Sequence, residues 1–133
     1  MADVGENAPE AAWTLDDGAT ASVKDSKGRK LVVYFYPKDD TSGCTKEAQE
    51  FTALASEFAA ADTDVIGISK DSAKSHAKFT GKYDLKIALG SDESGAVCDA
   101  FGVWVEKSMY GKTYMGIERA TFMIDANGTI AQV

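Results

Sequence analysis

Cys44 closes a polar run, Tyr36-Pro37-Lys38-Asp39-Asp40-Thr41-Ser42-Gly43-Cys44, and Thr45, Lys46 and Glu47 follow it. A thiol at the first turn of a helix faces unpaired backbone N–H groups and the positive end of the helix dipole, and both stabilise a thiolate. Helix N-termini are a recognised setting for a cysteine of lowered pKa, and the thiolate is the nucleophilic form. Thr41, three residues earlier, can bring a hydroxyl beside the sulfur as donor or acceptor. The plainer alternative is a small buried apolar residue, since cysteine is among the most buried types. Residue type and spacing leave both readings of Cys44 open, and the helix start favours the reactive thiol.

The other chemistry-bearing residues are few. The second cysteine, Cys98, is far away in sequence, no C-x-x-C occurs, and His76 is the single histidine. That set makes neither a dithiol thioredoxin-type centre nor a zinc site, so no metal and no cofactor are expected. His76, on a short polar helical segment, is read as solvated and without a role.

The elements that must position Cys44 follow from the pattern around it. Leu31-Val32-Val33-Tyr34-Phe35-Tyr36 is apolar on both faces and β-prone, which suits a central strand, and Pro37 ends it. Cys44, Ala48, Phe51, Ala55 and Phe58 recur at spacings of four and three, which predicts one helix from about Gly43 to Ala61. Asp64 to Ser69 reads as a second buried strand. Ser72 to Tyr83 reads as a weaker helix capped by Asp71 or Ser72 and interrupted by Gly81. A strand near Ile87 to Leu89 and a helix from Ser94 to Phe101 come next. Val103 to Glu118 is read as a hairpin, and two strands flank the turn Asp125-Ala126-Asn127-Gly128. The Trp13 region and Thr20 to Val23 supply edge strands. The order predicts an α/β fold with a mixed central sheet flanked by helices. Val133 is the last residue of a predicted strand with no helix behind it, so a C-terminal helix is expected to be missing from a truncated sequence.

Length and composition set the outer bounds. With 133 residues the chain fits one domain, 1–133, large enough to bury a real core. It has 44% hydrophobic and 26% charged residues, the balance of an ordinary globular protein. The net charge of -7 argues against nucleic acid or an anionic membrane as partner. No apolar run exceeds the segment Leu31 to Tyr36, and the N-terminus lacks the pattern of a signal peptide. A cytoplasmic location is expected.

The segment Tyr34-Phe35-Tyr36-Pro37-Lys38-Asp39-Asp40-Thr41-Ser42-Gly43-Cys44-Thr45-Lys46-Glu47-Ala48 resembles the active-site loop of peroxiredoxins, most of all the bacterioferritin-comigratory-protein or peroxiredoxin Q subgroup. Pro37, Thr41 and Cys44 match the family pattern position for position. Ser75-His76-Ala77-Lys78-Phe79, Phe101-Gly102-Val103-Trp104 and Gly116-Ile117-Glu118-Arg119-Ala120-Thr121-Phe122 extend the likeness across nearly the whole chain. The resemblance implies a thioredoxin-like fold and a thiol-dependent peroxidase acting on hydrogen peroxide and organic hydroperoxides. Cys44 would attack the peroxide and become a sulfenic acid. Thr41 and loop N–H groups, Gly43 included, would hold the peroxide oxygens. Arg119 would stabilise the thiolate and the leaving oxygen, Pro37 would shield the sulfenate, and Glu47 would orient the arginine. Spacing alone cannot bring Arg119 to Cys44; only the family match does.

The chain also departs from the pattern. The two positions where the subgroup carries a resolving cysteine hold Gln49 and Thr80, and Ser42 stands where proline is commoner. Cys98 is the remaining candidate for a resolving thiol, and its small-residue setting reads instead as core packing. The implied mechanism is one-cysteine, with thioredoxin, glutaredoxin or a small-molecule thiol as reductant and a monomer or weak homodimer as the assembly. A thiol redox sensor or interaction module with little turnover is the alternative, and a silent thioredoxin-like binding domain a third. Trp104, Met109, Tyr110, Tyr114 and Met115 are read as core or hairpin packing, with a hydroperoxide pocket or subunit contact as the sharper option.

Overall fold

The computed structural model describes residues 1–133. Two short strands come first, β1 (Trp13–Thr14) and β2 (Thr20–Ala21), then a 3-10 turn at Val23–Ser26. There follow β3 (Lys30–Phe35), α1 (Ser42–Ala53), α2 (Ala55–Ala60), β4 (Thr63–Ser69), α3 (Ala73–Tyr83), β5 (Ala88–Ser91) and α4 (Ala96–Phe101). A hairpin of β6 (Trp104–Met109) and β7 (Lys112–Ile117) precedes β8 (Ala120–Ile124) and β9 (Ile130–Gln132). Seven strands share one sheet in the order β2-β1-β5-β4-β3-β8-β9, while β6 and β7 pair only with each other. β3 runs parallel to β4 and antiparallel to β8, so the sheet is mixed.

Strand β3 and the residue after it divide the core. Successive side chains alternate faces, and Leu31 to Tyr36 are all buried. Leu31, Val33 and Phe35 join Ile66 and Ile68 of β4, Phe122 and Ile124 of β8, and Val97, Cys98 and Phe101 of α4. Phe35, Phe101 and Phe122 form an aromatic triangle with centroids 5.1 to 5.7 Å apart. Tyr34 and Tyr36 belong to the other face, with Leu89 of β5, Cys44 and Ala48 of α1, and Phe79 of α3. Each large apolar side chain buried this way contributes roughly 1.5–3 kcal/mol. Gly67 makes room on this second face. A Cβ there would stand 2.6 Å from Tyr34 Cζ, and the Tyr34 ring, free to cross β4, stacks on Phe51 at 4.5 Å.

The helix expected over Gly43 to Ala61 is in fact two. The Leu54 N–H turns back to the Phe51 carbonyl at 3.1 Å, a 3-10-type closure that ends α1. The break lets Phe58 of α2 stay beside Phe51, with centroids 6.0 Å apart, where a straight continuation would carry it along the original axis. In α3 the Ser72 side chain accepts from the Ser75 N–H and caps the helix, and Gly81 does not interrupt it. The hairpin forms as expected, but Met109, Tyr110, Tyr114 and Met115 lie exposed on it rather than packed. Trp104 is half-buried, with the Lys70 ammonium 4.2 Å from its ring centre. No helix is long and apolar enough to cross a membrane.

Candidate active site

The site sits where β3 ends. Pro37 has no N–H to extend the ladder, the chain turns through Lys38 to Thr41, and α1 starts at Ser42. Cys44 is therefore in the first turn of α1, 2% exposed, against Tyr34 and Tyr36. No side chain caps this helix end, so its first N–H groups remain available to a bound oxygen.

Register explains how an arginine 75 residues away reaches the sulfur. β8 pairs with β3 so that Ala120 lies opposite Phe35, and the preceding residue, Arg119, falls beside the exit of β3. Arg119 Nη2 is 3.2 Å from Cys44 Sγ, and Nη1 is 2.6 Å from Glu47 Oε1. One guanidinium thus bridges the thiol and a carboxylate one helical turn further along. Gly43 leaves space for it: a Cβ there would stand 3.6 Å from Arg119 Nη2. Burial pulls the Arg119 pKa down, but the Cys44 sulfur and the Glu47 carboxylate outweigh it and hold it above the ordinary value. Glu47 shifts up, because burial outweighs the pull of Arg119 on its charged form.

Thr41 does not hydrogen-bond the sulfur. Its Oγ1 donates to the Lys38 carbonyl at 2.9 Å, which commits the hydroxyl proton and leaves the oxygen lone pairs free to accept. Pro37 is exposed at the end of β3. A cavity of about 450 Å³ is elsewhere, lined by Trp13, Leu31, Phe58, Ile66 and Ile87 near the opposite end of β3. It contains no thiol and no arginine–thiol pair, so geometry favours Cys44 over volume as the site.

Both the sequence and the fold have matches among known proteins. The AhpC/TSA family model covers residues 4–133. The chain belongs to the AhpC/TSA family. A Coxiella burnetii chain named as a peroxiredoxin of the bcp type is 49% identical over 131 residues, 98% of this chain and 87% of that one. Peroxiredoxin Bcp of Bacillus subtilis is 44% identical over 96% of this chain and 82% of its own. Among solved structures, a cysteine-to-serine variant of Xylella fastidiosa PrxQ superposes with a TM-score of 0.92 at 34% identity, covering 99% of this chain and 84% of that one. A bacterioferritin comigratory protein of Xanthomonas campestris, studied for alkyl peroxide reduction, gives 0.90 at 40% identity, covering 98% and 85%. The fold is thioredoxin-like, and the enzyme class is that of the peroxiredoxins, thiol-dependent peroxidases.

Within this peroxiredoxin the second thiol is remote from the first. Cys98 is fully buried among Val33, Phe35 and Phe101, on the face of the sheet opposite Cys44. Burial pushes its pKa far up, and the neighbouring Asp92 carboxylate adds to the shift. Both cysteines are free thiols.

His76 corrects the expectation of a solvated side chain: it is 1% exposed. Its Nδ1 lies 2.7 Å from Asp39 Oδ2, and Nε2 donates to the Gly90 carbonyl at 3.1 Å. The composition of α3 alone hid this, because the partner that makes the burial tolerable comes from the loop before Cys44. Asp39, buried and not singled out from sequence, also accepts from Tyr36 Oη at 2.5 Å and Ser75 Oγ at 2.8 Å. An aspartate within an otherwise exposed polar loop, followed by a Ser-His pair on a later helix, was the available signal.

Proposed function

We propose that residues 1–133 act as a single-domain peroxidase in which Cys44 is the peroxidatic thiol and the reducing partner is an external thiol. The supporting observation is the Arg119 contact to Cys44 Sγ at 3.2 Å in the first turn of α1. A cation and oriented N–H donors at that place hold a thiolate and meet charge as it develops on a departing oxygen.

The Cys44 thiolate attacks one peroxide oxygen; an S–O bond forms as the O–O bond breaks. The O–O electron pair stays on the leaving oxygen, which takes a proton and departs as water or an alcohol. Sulfur is oxidised by two electrons to the sulfenic acid. A reductant thiol then displaces water to give a mixed disulfide, and a second thiol releases Cys44 with formation of the reductant disulfide. Thr41 Oγ1, its own O–H donating to the Lys38 carbonyl, is suited to accept from the peroxide O–H. Arg119 stabilises the thiolate and the leaving oxygen, and Glu47 steadies Arg119. Pro37 and Gly43 shape the site, the first by ending β3 and the second by leaving room for the guanidinium.

Resolution by Cys98 is disfavoured, because a disulfide needs Cα atoms within roughly 7 Å and the two thiols are on opposite sheet faces. Thioredoxin, glutaredoxin or a small-molecule thiol fits the reductant role. The alkyl peroxide activity of the Xanthomonas campestris relative supports organic hydroperoxides alongside hydrogen peroxide as substrates. Two free cysteines suit a reducing, cytoplasmic setting, and a monomer or weak homodimer suffices, since every residue of the site comes from one chain. The test is consumption of hydrogen peroxide and a model alkyl hydroperoxide with a thiol reductant, comparing wild type with Cys44→Ser. Multiple turnover by wild type alone supports the proposal; equal, slow consumption by both proteins overturns it.

A further inference from the structure

Two consecutive loop residues fasten the approach to Cys44 onto one helix. Asp39 binds the N-terminal half of α3 through Ser75 and His76, and Asp40 binds its C-terminal end through Lys82 Nζ at 2.7 Å and Tyr83 Oη at 2.6 Å. Asp40 has φ 58, in the left-handed region, and this turn sends the two carboxylates to different ends of the helix. The Asp39 end is the buried one. Tyr36 Oη donates to Asp39 from the last position before the loop, and the Asp39 N–H donates to Asp71 Oδ2 at 2.9 Å. Asp71 is fixed in turn by Ser69 Oγ at 2.6 Å, while Ser91 Oγ donates to its carbonyl. His76 completes the set, since Nε2 reaches the Gly90 carbonyl on β5 while Nδ1 meets Asp39. The Asp39, Asp71 and His76 atoms that face one another are already engaged in these bonds, which reads as a latch rather than an open ion site.

Beyond this buried latch the loop is held through its exposed Asp40, by Lys82 and Tyr83. Residues 37–41 are outside any strand, and the Thr41 hydroxyl bonds only within the loop, to Lys38. Where the loop and Thr41 stand relative to Cys44 Sγ therefore depends on where Asp39 and Asp40 are pinned, and Asp39 is the buried anchor. An apolar cluster of similar shape would serve stability about as well as a buried polar one, whereas directed hydrogen bonds fix one loop geometry.

We propose that His76 is a positioning residue for the peroxidatic loop, acting through Asp39 to set the peroxide-binding groups around Cys44. This rests on Cys44 being the peroxidatic thiol, as argued above.

The test measures three rates on reduced protein: oxidation of Cys44 by hydrogen peroxide, alkylation of Cys44 by iodoacetamide, and alkylation of Cys98. Peroxide oxidation needs the loop geometry, simple alkylation does not, and Cys98 on the opposite face reports general opening of the fold. His76→Phe removes both hydrogen bonds, and His76→Asn restores an N–H near the Nδ1 position. The expected result is peroxide oxidation slowed about tenfold or more in His76→Phe, with Cys44 alkylation changed less than about twofold, Cys98 protected, and substantial recovery in His76→Asn. Oxidation within about twofold of wild type in folded His76→Phe overturns the proposal, as does slowing of both Cys44 reactions together or no recovery in His76→Asn. If His76→Phe exposes Cys98, Ser75→Ala decides by the same rates: selective slowing of oxidation by about threefold supports the latch, and an unchanged rate overturns it. A wild-type Cys44 inert to peroxide removes the peroxidase reading itself, whereas an active wild type with an equally active His76→Phe removes only the latch.

Discussion

Cys44 and Cys98, the only thiols in the chain, pack against opposite faces of the same sheet. The alternation of β3 enforces this, because Val33 and Phe35 face Cys98 while Tyr34 and Tyr36 face Cys44. Cys98→Ala should therefore leave peroxide turnover within about twofold of wild type, while the lost sulfur contacts lower stability by ~1 kcal/mol. Steady-state peroxide consumption and urea denaturation measure the two effects. A collapse of turnover in a folded Cys98→Ala protein would assign that thiol a chemical role.

Arg119 carries the charge that faces the sulfur, so its removal should act on the chemical step. Arg119→Ala is expected to slow Cys44 oxidation by roughly 10²–10³-fold, the scale set by loss of one preorganised donor. Glu47→Gln should cost less, because it loosens the guanidinium without removing it. Stopped-flow oxidation of the reduced protein gives both numbers. A larger loss in Glu47→Gln than in Arg119→Ala would reverse the roles given to them.

Asp39 should leave a mark on acid stability. Burial opposes its charged form, but hydrogen bonds from His76, Tyr36 and Ser75 outweigh burial and hold its pKa below the ordinary 3.8. A carboxyl lowered on folding contributes stability that is complete above its unfolded value and is lost as pH falls through the folded one. Wild type should lose stability more steeply than Asp39→Asn below about pH 4, and the two slopes should converge above about pH 5. Urea unfolding across that range checks the sign. A steeper acid limb in Asp39→Asn would contradict the pairing.

Several of these relationships were legible in the sequence and others were not, for physical reasons. The central strand announced itself because Leu31 to Tyr36 is buried on both faces, and the Cys44 helix start followed from Pro37 and the polar loop. The hairpin and the last two strands were visible in their turn residues. Only family resemblance brings Arg119 to the sulfur, since its position depends on the pairing of Phe35 with Ala120 across the sheet. The burial of His76 is not legible locally, because it depends on Asp39, a partner 37 residues away whose approach no local pattern encodes. The break at Leu54 is hidden for a related reason: the apolar stripe continues through it, and only a backbone hydrogen bond to Phe51 marks the end of α1.

The central claim is that Cys44 alone carries the oxidation and passes it to an outside thiol. Mass spectrometry of the reduced protein after one equivalent of hydrogen peroxide, with a sulfenic-acid trap present, tests this most directly. The expected result is one trapped sulfenic acid on the peptide containing Cys44, with Cys98 still a thiol. A Cys44–Cys98 disulfide, or a disulfide joining two chains, would contradict it.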